Sequence, residues 1–325
     1  MFHCSHNMAT YNFRMLIMFL FFSATSMAYA TSRPLAEVTS SSPDQLIREV
    51  CSPQSLLTCN NYDNAEPVYV AADEGAEAAG ILRDRSIVTI NDLQEDFFLE
   101  SSLVEGRKTT VHNYLYDPAP SRAFLSPTDA TTLPTLTTYN TLDIMRFYGV
   151  ARDSNMATSI ATAAYLCGSA ALPGEARSCA ASTDALAAFV AAQLGNNVRV
   201  YATKGAPTST STSNMKAPVT IMKVAKGSVE EGRKIVVCHH LAFPSALYYC
   251  HAVTGTKVVQ ATLKTEGRYH QRAHIKAMAV CHLNTELWLS RHPAFKALKI
   301  ARGEEACHFL VGNDLLFTRV APIVG

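Results

Sequence analysis

The chain reads as an α+β protein, with helices followed by a strand-rich, disulfide-linked C-terminal half. Three observations predict this. Helical periodicity is concentrated between residues 140 and 194. Short apolar runs rich in β-formers dominate after residue 198. The third is the dipeptide Cys-His, which occurs four times: Cys238-His239, Cys250-His251, Cys281-His282 and Cys307-His308, with gaps of 10, 29 and 24 residues. Cysteine and histidine are scarce residues, so this array points to a metal site, a disulfide framework, or both.

The array sits on predicted strands. Ile235-Val236-Val237, Ala246 to Tyr249 and Ala277 to Val280 precede three of the pairs, and Phe309-Leu310-Val311 follows the fourth. Neighbouring side chains on a strand point to opposite faces, so one metal ion is not easily served by a Cys and the next His. The economical expectation is four cysteines on one face, able to form two disulfides, and four histidines on the other. Imidazole suits copper, zinc or nickel, and copper leads the affinity order. A pure disulfide scaffold with uninvolved histidines is the competing expectation.

The array, CH-x10-CH-x29-CH-x24-CH, resembles the signature of the plant BURP domain. Further segments are similar to that domain: Phe97 to Glu100 followed by Gly106-Arg107-Lys108, Ala123-Phe124-Leu125, Cys167 to Cys179 with Gly174-Glu175, and Thr285 to Trp288 followed by His292 and Ala294-Phe295. The resemblance covers about residues 96 to 320. The second gap, between His251 and Cys281, is slightly longer than the family's usual one, with the extra length expected near Arg268 to His274. The resemblance implies a secreted protein of the apoplast or cell wall, acting in development or stress. It also implies an alternative, a copper-dependent peptide cyclase that crosslinks an aromatic side chain of a core peptide. Copper is the expected cofactor, with His239, His251, His282 and His308 as its ligands. Zinc held by a mixed Cys/His set is the runner-up, and it requires reduced thiolates. His292 matches a position in the family's pattern and ranks above His112, His240, His270 and His274 as a further candidate.

The N-terminal third has another character. Arg14, the apolar run Met15 to Phe22 and Ala28-Tyr29-Ala30 read as a secretory signal peptide over residues 1–30, with the mature chain starting near Thr31. The run is too short for a stable membrane anchor. Residues 31–95 form a leader, Ser-rich at Thr39 to Pro43 and acidic and alanine-rich at Ala71 to Gly80. Asp44 is placed to cap a short helix from Gln45. The domain proper is expected over 96–325.

Cleavage removes Cys4 and leaves eight of the nine cysteines. An even number in a secreted chain favours disulfides. Cys167 with Cys179 and Cys51 with Cys59 are plausible local pairs. Helices are expected at Asn140–Tyr148, Ser154–Leu166 and Ser182–Leu194, strands at Thr109–Tyr116 and Val198–Thr203, and loops at 118–134 and 205–213.

Composition excludes several classes. There are 28 basic and 27 acidic residues, which predicts no nucleic-acid partner and no anionic-membrane partner through bulk charge. No Gly-x-Ser-x-Gly, His-Glu-x-x-His or P-loop is present. Cell-wall components or a peptide substrate remain as expected partners. A self-modifying cyclase needs an aromatic core motif in the leader, which offers only Tyr62 and Tyr69, and neither lies in a repeat.

Overall fold

The computed structural model describes residues 97–117, 119, 122–206, 216–226, 234–266 and 274–319. The expected signal peptide, the leader, Cys51, Cys59, His270 and most of the expected insertion at 268–274 lie outside them.

The elements in chain order are β1 (Phe97–Phe98), β2 (Lys108–His112), α1 (Pro127–Thr132), α2 (Thr141–Phe147), α3 (Asn155–Gly168), β3 (Ala176–Ala180), α4 (Thr183–Leu194) and β4 (Val198–Tyr201). The second half continues with β5 (Lys216–Lys226), β6 (Ile235–His240), β7 (Tyr248–Val253), β8 (Thr256–Thr265), β9 (His274–His282), α5 (Pro293–Leu298), β10 (Ala306–Phe309) and β11 (Leu315–Arg319). The strand-rich second half agrees with the sequence. The helices-first layout is only partly seen, because β1 and β2 precede every helix and α5 falls among the last strands.

Local chemistry explains the helix ends. Ser154 and Ser182 accept hydrogen bonds from the N–H groups of Ala157 and Ala185 and cap α3 and α4. Gly149 and Gly195, at φ of 66° and 78°, end α2 and α4 in a conformation that costs a side-chain-bearing residue more. Helix α1 falls in a stretch expected to be loop, where Ser126 caps a first turn that begins with Pro127. The strand expected over Thr109–Tyr116 stops at His112, because Asn113, Tyr114 and Leu115 turn through three positive φ angles.

Among the described residues all the strand pairs are antiparallel, in two sheets. One has the order β1-β10-β9-β8-β5-β2 and the other β3-β7-β6-β11-β4. Tyr201, Ile235, Val237 and Leu316 of the five-stranded sheet share a buried cluster with Val258, Met278 and Val280 of the six-stranded one. Burial of each such aliphatic side chain is worth roughly 1.5–3 kcal/mol, so apolar packing holds the two sheets face to face. The other face of the five-stranded sheet packs under Leu186, Ala187, Val190 and Leu194 of α4. The other face of the six-stranded sheet forms its own cluster, which includes Leu263, Ile275 and Ala277.

This layering decides where the Cys-His pairs point. Cys238 and Cys250 are cross-strand partners on β6 and β7, joined by a disulfide with Cα atoms 4.0 Å apart. Cys281 and Cys307 are partners on β9 and β10, joined with Cα atoms 3.9 Å apart. Alternation within each strand holds, but the four cysteines do not share one face. The first bridge lies in the cluster under α4 and the second in the outer cluster of the six-stranded sheet. They therefore occupy opposite outer sides of the sandwich. The expected Cys167–Cys179 bridge is present and ties α3 to β3.

Candidate metal centre

Pointing the cysteines outward turns the histidines inward. His251 pairs with Val237 and His308 with Val280, so both share the inter-sheet face. His239 and His282 lie two residues along from Val237 and Val280, on the same face. The structure thus brings all four array histidines together, two from each sheet. Their rings form a row: His251 to His239 at 5.4 Å between centroids, His239 to His308 at 6.0 Å, and His308 to His282 at 5.7 Å.

Hydrogen bonds orient three of the rings. His251 Nδ1 donates to Glu175 Oε1 at 2.9 Å, and His239 Nδ1 donates to Asp314 Oδ2 at 3.1 Å. His308 Nδ1 donates to the Phe309 carbonyl at 3.3 Å. Carrying the proton on Nδ1 leaves the Nε2 lone pair of each for a ligand, an arrangement that characterises metal-binding histidines. Among the described residues, His251 Nε2 is buried without a partner. So is the Thr256 hydroxyl, which belongs to the residue paired with His282 across the ladder. Uncompensated buried polar atoms are costly, and two of them beside this row mark a place that a ligand would satisfy.

The electrostatics agree. Burial lowers the His251 pKa, and it drives His282 well below the ordinary value, with repulsion from His308 next. His308 is lowered to about 4, first by burial and then by His239. Burial raises Glu175, but its hydrogen bonds from His251 and the Leu172 N–H outweigh this, and the net shift is downward. These rings are therefore neutral at neutral pH, as ligation requires.

The sign of the pH dependence follows. Each depressed histidine binds its proton more readily in the unfolded chain, so it contributes stability that is full above about 6.5 and lost as pH falls through its folded value. Thermal unfolding of metal-free protein should show a melting temperature falling steadily from about pH 6.5 to about 4. His308→Gln should flatten that slope. An unchanged slope would contradict the burial described here.

The neighbours of the row are aromatic. Trp288 packs on His282 at 4.9 Å and on His292 at 4.1 Å, and Phe97 lies 5.5 Å from His292 and 6.2 Å from His308. Both His292 and His282 pack on Trp288, and His292 adds to the electrostatic lowering of His282. The His292 Nδ1 accepts from the Ala294 N–H and caps α5. His240 is buried on the Asp117 carboxylate at 2.7 Å, while His112 ends β2 and His274 begins β9. Sequence reasoning did not single out Asp314 or Asp117, which hold His239 and His240 from distant positions in the chain.

Among the described residues, Cys281, Glu305 and Cys307 form the one group of three or more His, Cys, Asp or Glu whose ligand atoms lie within 4.8 Å of one another. Two of them are joined as a disulfide and offer no thiolate. The same oxidation removes the mixed Cys/His zinc site, since all four array cysteines are bridged. The histidines remain as the nitrogen donors, standing as a row rather than around one point.

A family model described as BURP domain matches residues 96–319. Polygalacturonase non-catalytic subunit AroGP3 of Solanum lycopersicum is 31% identical over 220 residues, which cover 67% of this chain and 33% of that protein. BURP domain protein RD22 of Arabidopsis thaliana is 31% identical over 264 residues, 79% of this chain and 64% of the relative. BURP domain-containing protein 12 of Oryza sativa subsp. japonica is 29% identical over 223 residues, 68% and 34% of the two chains. The chain thus spans about one third of the length of AroGP3 and of the rice protein. Among the described residues no helix is long and apolar enough to cross a membrane.

Proposed function

The chain belongs to the BURP-domain family, and from that premise we propose that it is a secreted, copper-binding protein of the plant apoplast or cell wall, acting in development or stress. The observation that carries the copper reading is the row of His239, His251, His282 and His308 between the two sheets, with three Nδ1 atoms tied to acceptors. These four residues would hold copper, with His239, His251 and His308 offering Nε2. Bound copper would supply one-electron redox chemistry. Glu175 and Asp314 orient their imidazoles and make them better donors, effects typically worth 10–100-fold in metal affinity. The sheets bury His282 and cover most of His251, while the His239 side chain stays 28% exposed, and the buried disulfides keep the strands that carry the row in register.

A partner protein in the wall fits this reading. The name of AroGP3, a polygalacturonase non-catalytic subunit, supports a role in which the domain assists an enzyme rather than acting alone. The second reading, a copper-dependent peptide cyclase, draws on the wall formed by Trp288, His292 and Phe97 beside His282 and His308. An aromatic peptide side chain could pack there.

Mass spectrometry of secreted protein made with and without added copper tests both readings. The expected product starts near Thr31, retains copper and keeps every hydrogen of its leader. Loss of hydrogens from the leader, at Tyr62 or Tyr69, would replace the non-enzymatic reading with the cyclase. A mature chain that takes up no copper would overturn both.

A further inference from the structure

At the end of the histidine row nearest β3, two hydrogen-bond donors lack acceptors among the described residues. Arg177 lies on β3, the edge strand of its sheet, directly across the ladder from His251. Its Nη1 donates to the Tyr249 hydroxyl at 3.3 Å, and its guanidinium carbon lies 5.9 Å from the centre of that ring. Its Nη2 is buried with no partner among the described residues. Tyr249 takes part in that hydrogen bond as an acceptor, so its own O–H proton is unspent. A tyrosine phenol, with an ordinary pKa of about 10, keeps that proton at neutral pH.

The neighbouring Glu175 carboxylate, whose charge interacts with that of Arg177, is already engaged. Glu175 accepts from His251 Nδ1 and from the Leu172 N–H, and no ion pair joins it to Arg177 among the described residues. A sheltered guanidinium nitrogen without an acceptor is costly, and the same desolvation makes an incoming anion bind more strongly. The complement of two donors, one of them a fork-shaped cation, is a planar anion with two oxygens.

We infer that Arg177 and Tyr249 form a carboxylate-binding subsite beside His251, at the β3 end of the histidine row. The inference deepens the proposed function by naming a group that a ligand of the metal centre would carry. The carboxylate accepts from Arg177 Nη2 and from the Tyr249 hydroxyl. It could come from a peptide or from a sugar acid, since both present the same two oxygens.

The test uses metal-free, full-length mature protein, so its outcome does not depend on copper uptake. Acetate is titrated while the Arg177 side-chain N–H and Tyr249 ring resonances are followed by NMR, with sodium chloride at equal ionic strength as the reference. Both sets should shift saturably with acetate. Arg177→Gln should weaken the affinity about tenfold or more, as expected for loss of a charge-assisted hydrogen bond, and Arg177→Lys should keep part of it. Tyr249→Phe should weaken it by a few-fold. Separate titrations with a capped aspartate and with galacturonate then show which source binds tighter, and saturable binding of either supports the subsite. If wild-type protein responds to acetate only as it does to chloride, or if a folded Arg177→Gln titrates like wild type, the subsite does not exist. Copper uptake without carboxylate binding would sink this inference alone, and carboxylate binding without copper uptake would sink the metal reading alone.

Discussion

Cys307→Ala should cut the secretion yield sharply and lower the stability of whatever protein is secreted by about 3–4 kcal/mol. The bridge it removes joins β9 to β10, and both cysteines are fully buried. In the chain-entropy account a disulfide restricts the unfolded chain more when it closes a longer loop. Cys281 and Cys307 are 26 residues apart and Cys238 and Cys250 only 12, so the wider loop should matter more, by roughly 0.5–0.7 kcal/mol. The substitution also strands the Cys281 thiol in the core, where it can pair wrongly during oxidation. Secretion yield, free-thiol counting and denaturant unfolding check this. A Cys307→Ala protein secreted and folded like wild type would show that the array cysteines do not support the sandwich.

Asp117→Ala should cost about 3 kcal/mol or more, because it leaves several buried donors without their acceptor at about 1–3 kcal/mol each. The Asp117 carboxylate accepts from His240 Nδ1 at 2.7 Å, from Asn313 Nδ2 at 3.0 Å and from the Ala119 N–H at 2.9 Å. The side chains of His240 and Asp117 are 4% and 2% exposed, so water cannot replace the lost acceptor. Asp117→Asn keeps the volume and one acceptor oxygen, and it should cost clearly less. Urea unfolding of both variants measures the difference. A cost within about 1 kcal/mol for Asp117→Ala would mean that the pair is dispensable.

The array was legible because strand alternation is local. Any strand through Cys238-His239 must send the two side chains to opposite faces, and the structure does so. Which strands join which sheet is not local. The four array strands divide as β6 with β7 and β9 with β10, and those pairs belong to different sheets. Two facing sheets send their histidines inward and their cysteines outward on opposite sides, where a single sheet would have gathered all four cysteines. The Cys167–Cys179 bridge was readable, since its two residues flank one short connection, from α3 to β3. The acceptors of His239 and His240 were not, because Asp314 and Asp117 lie 75 and 123 residues away and carry no spacing signal. β8 alternates in burial, yet its polar residues Thr256, Lys257, Gln260 and Lys264 masked it as a strand.

The central claim is that His239, His251, His282 and His308 act together as one copper-binding group. The direct measurement is copper content and affinity of the purified secreted protein and of its four single His→Ala variants, each confirmed as folded by its unfolding transition and by the absence of free array thiols. The account predicts that wild type binds copper and that each variant binds it at least about tenfold more weakly, because removing one donor opens the coordination sphere. Four folded variants that all retain wild-type copper affinity would contradict it and leave the array as a disulfide scaffold.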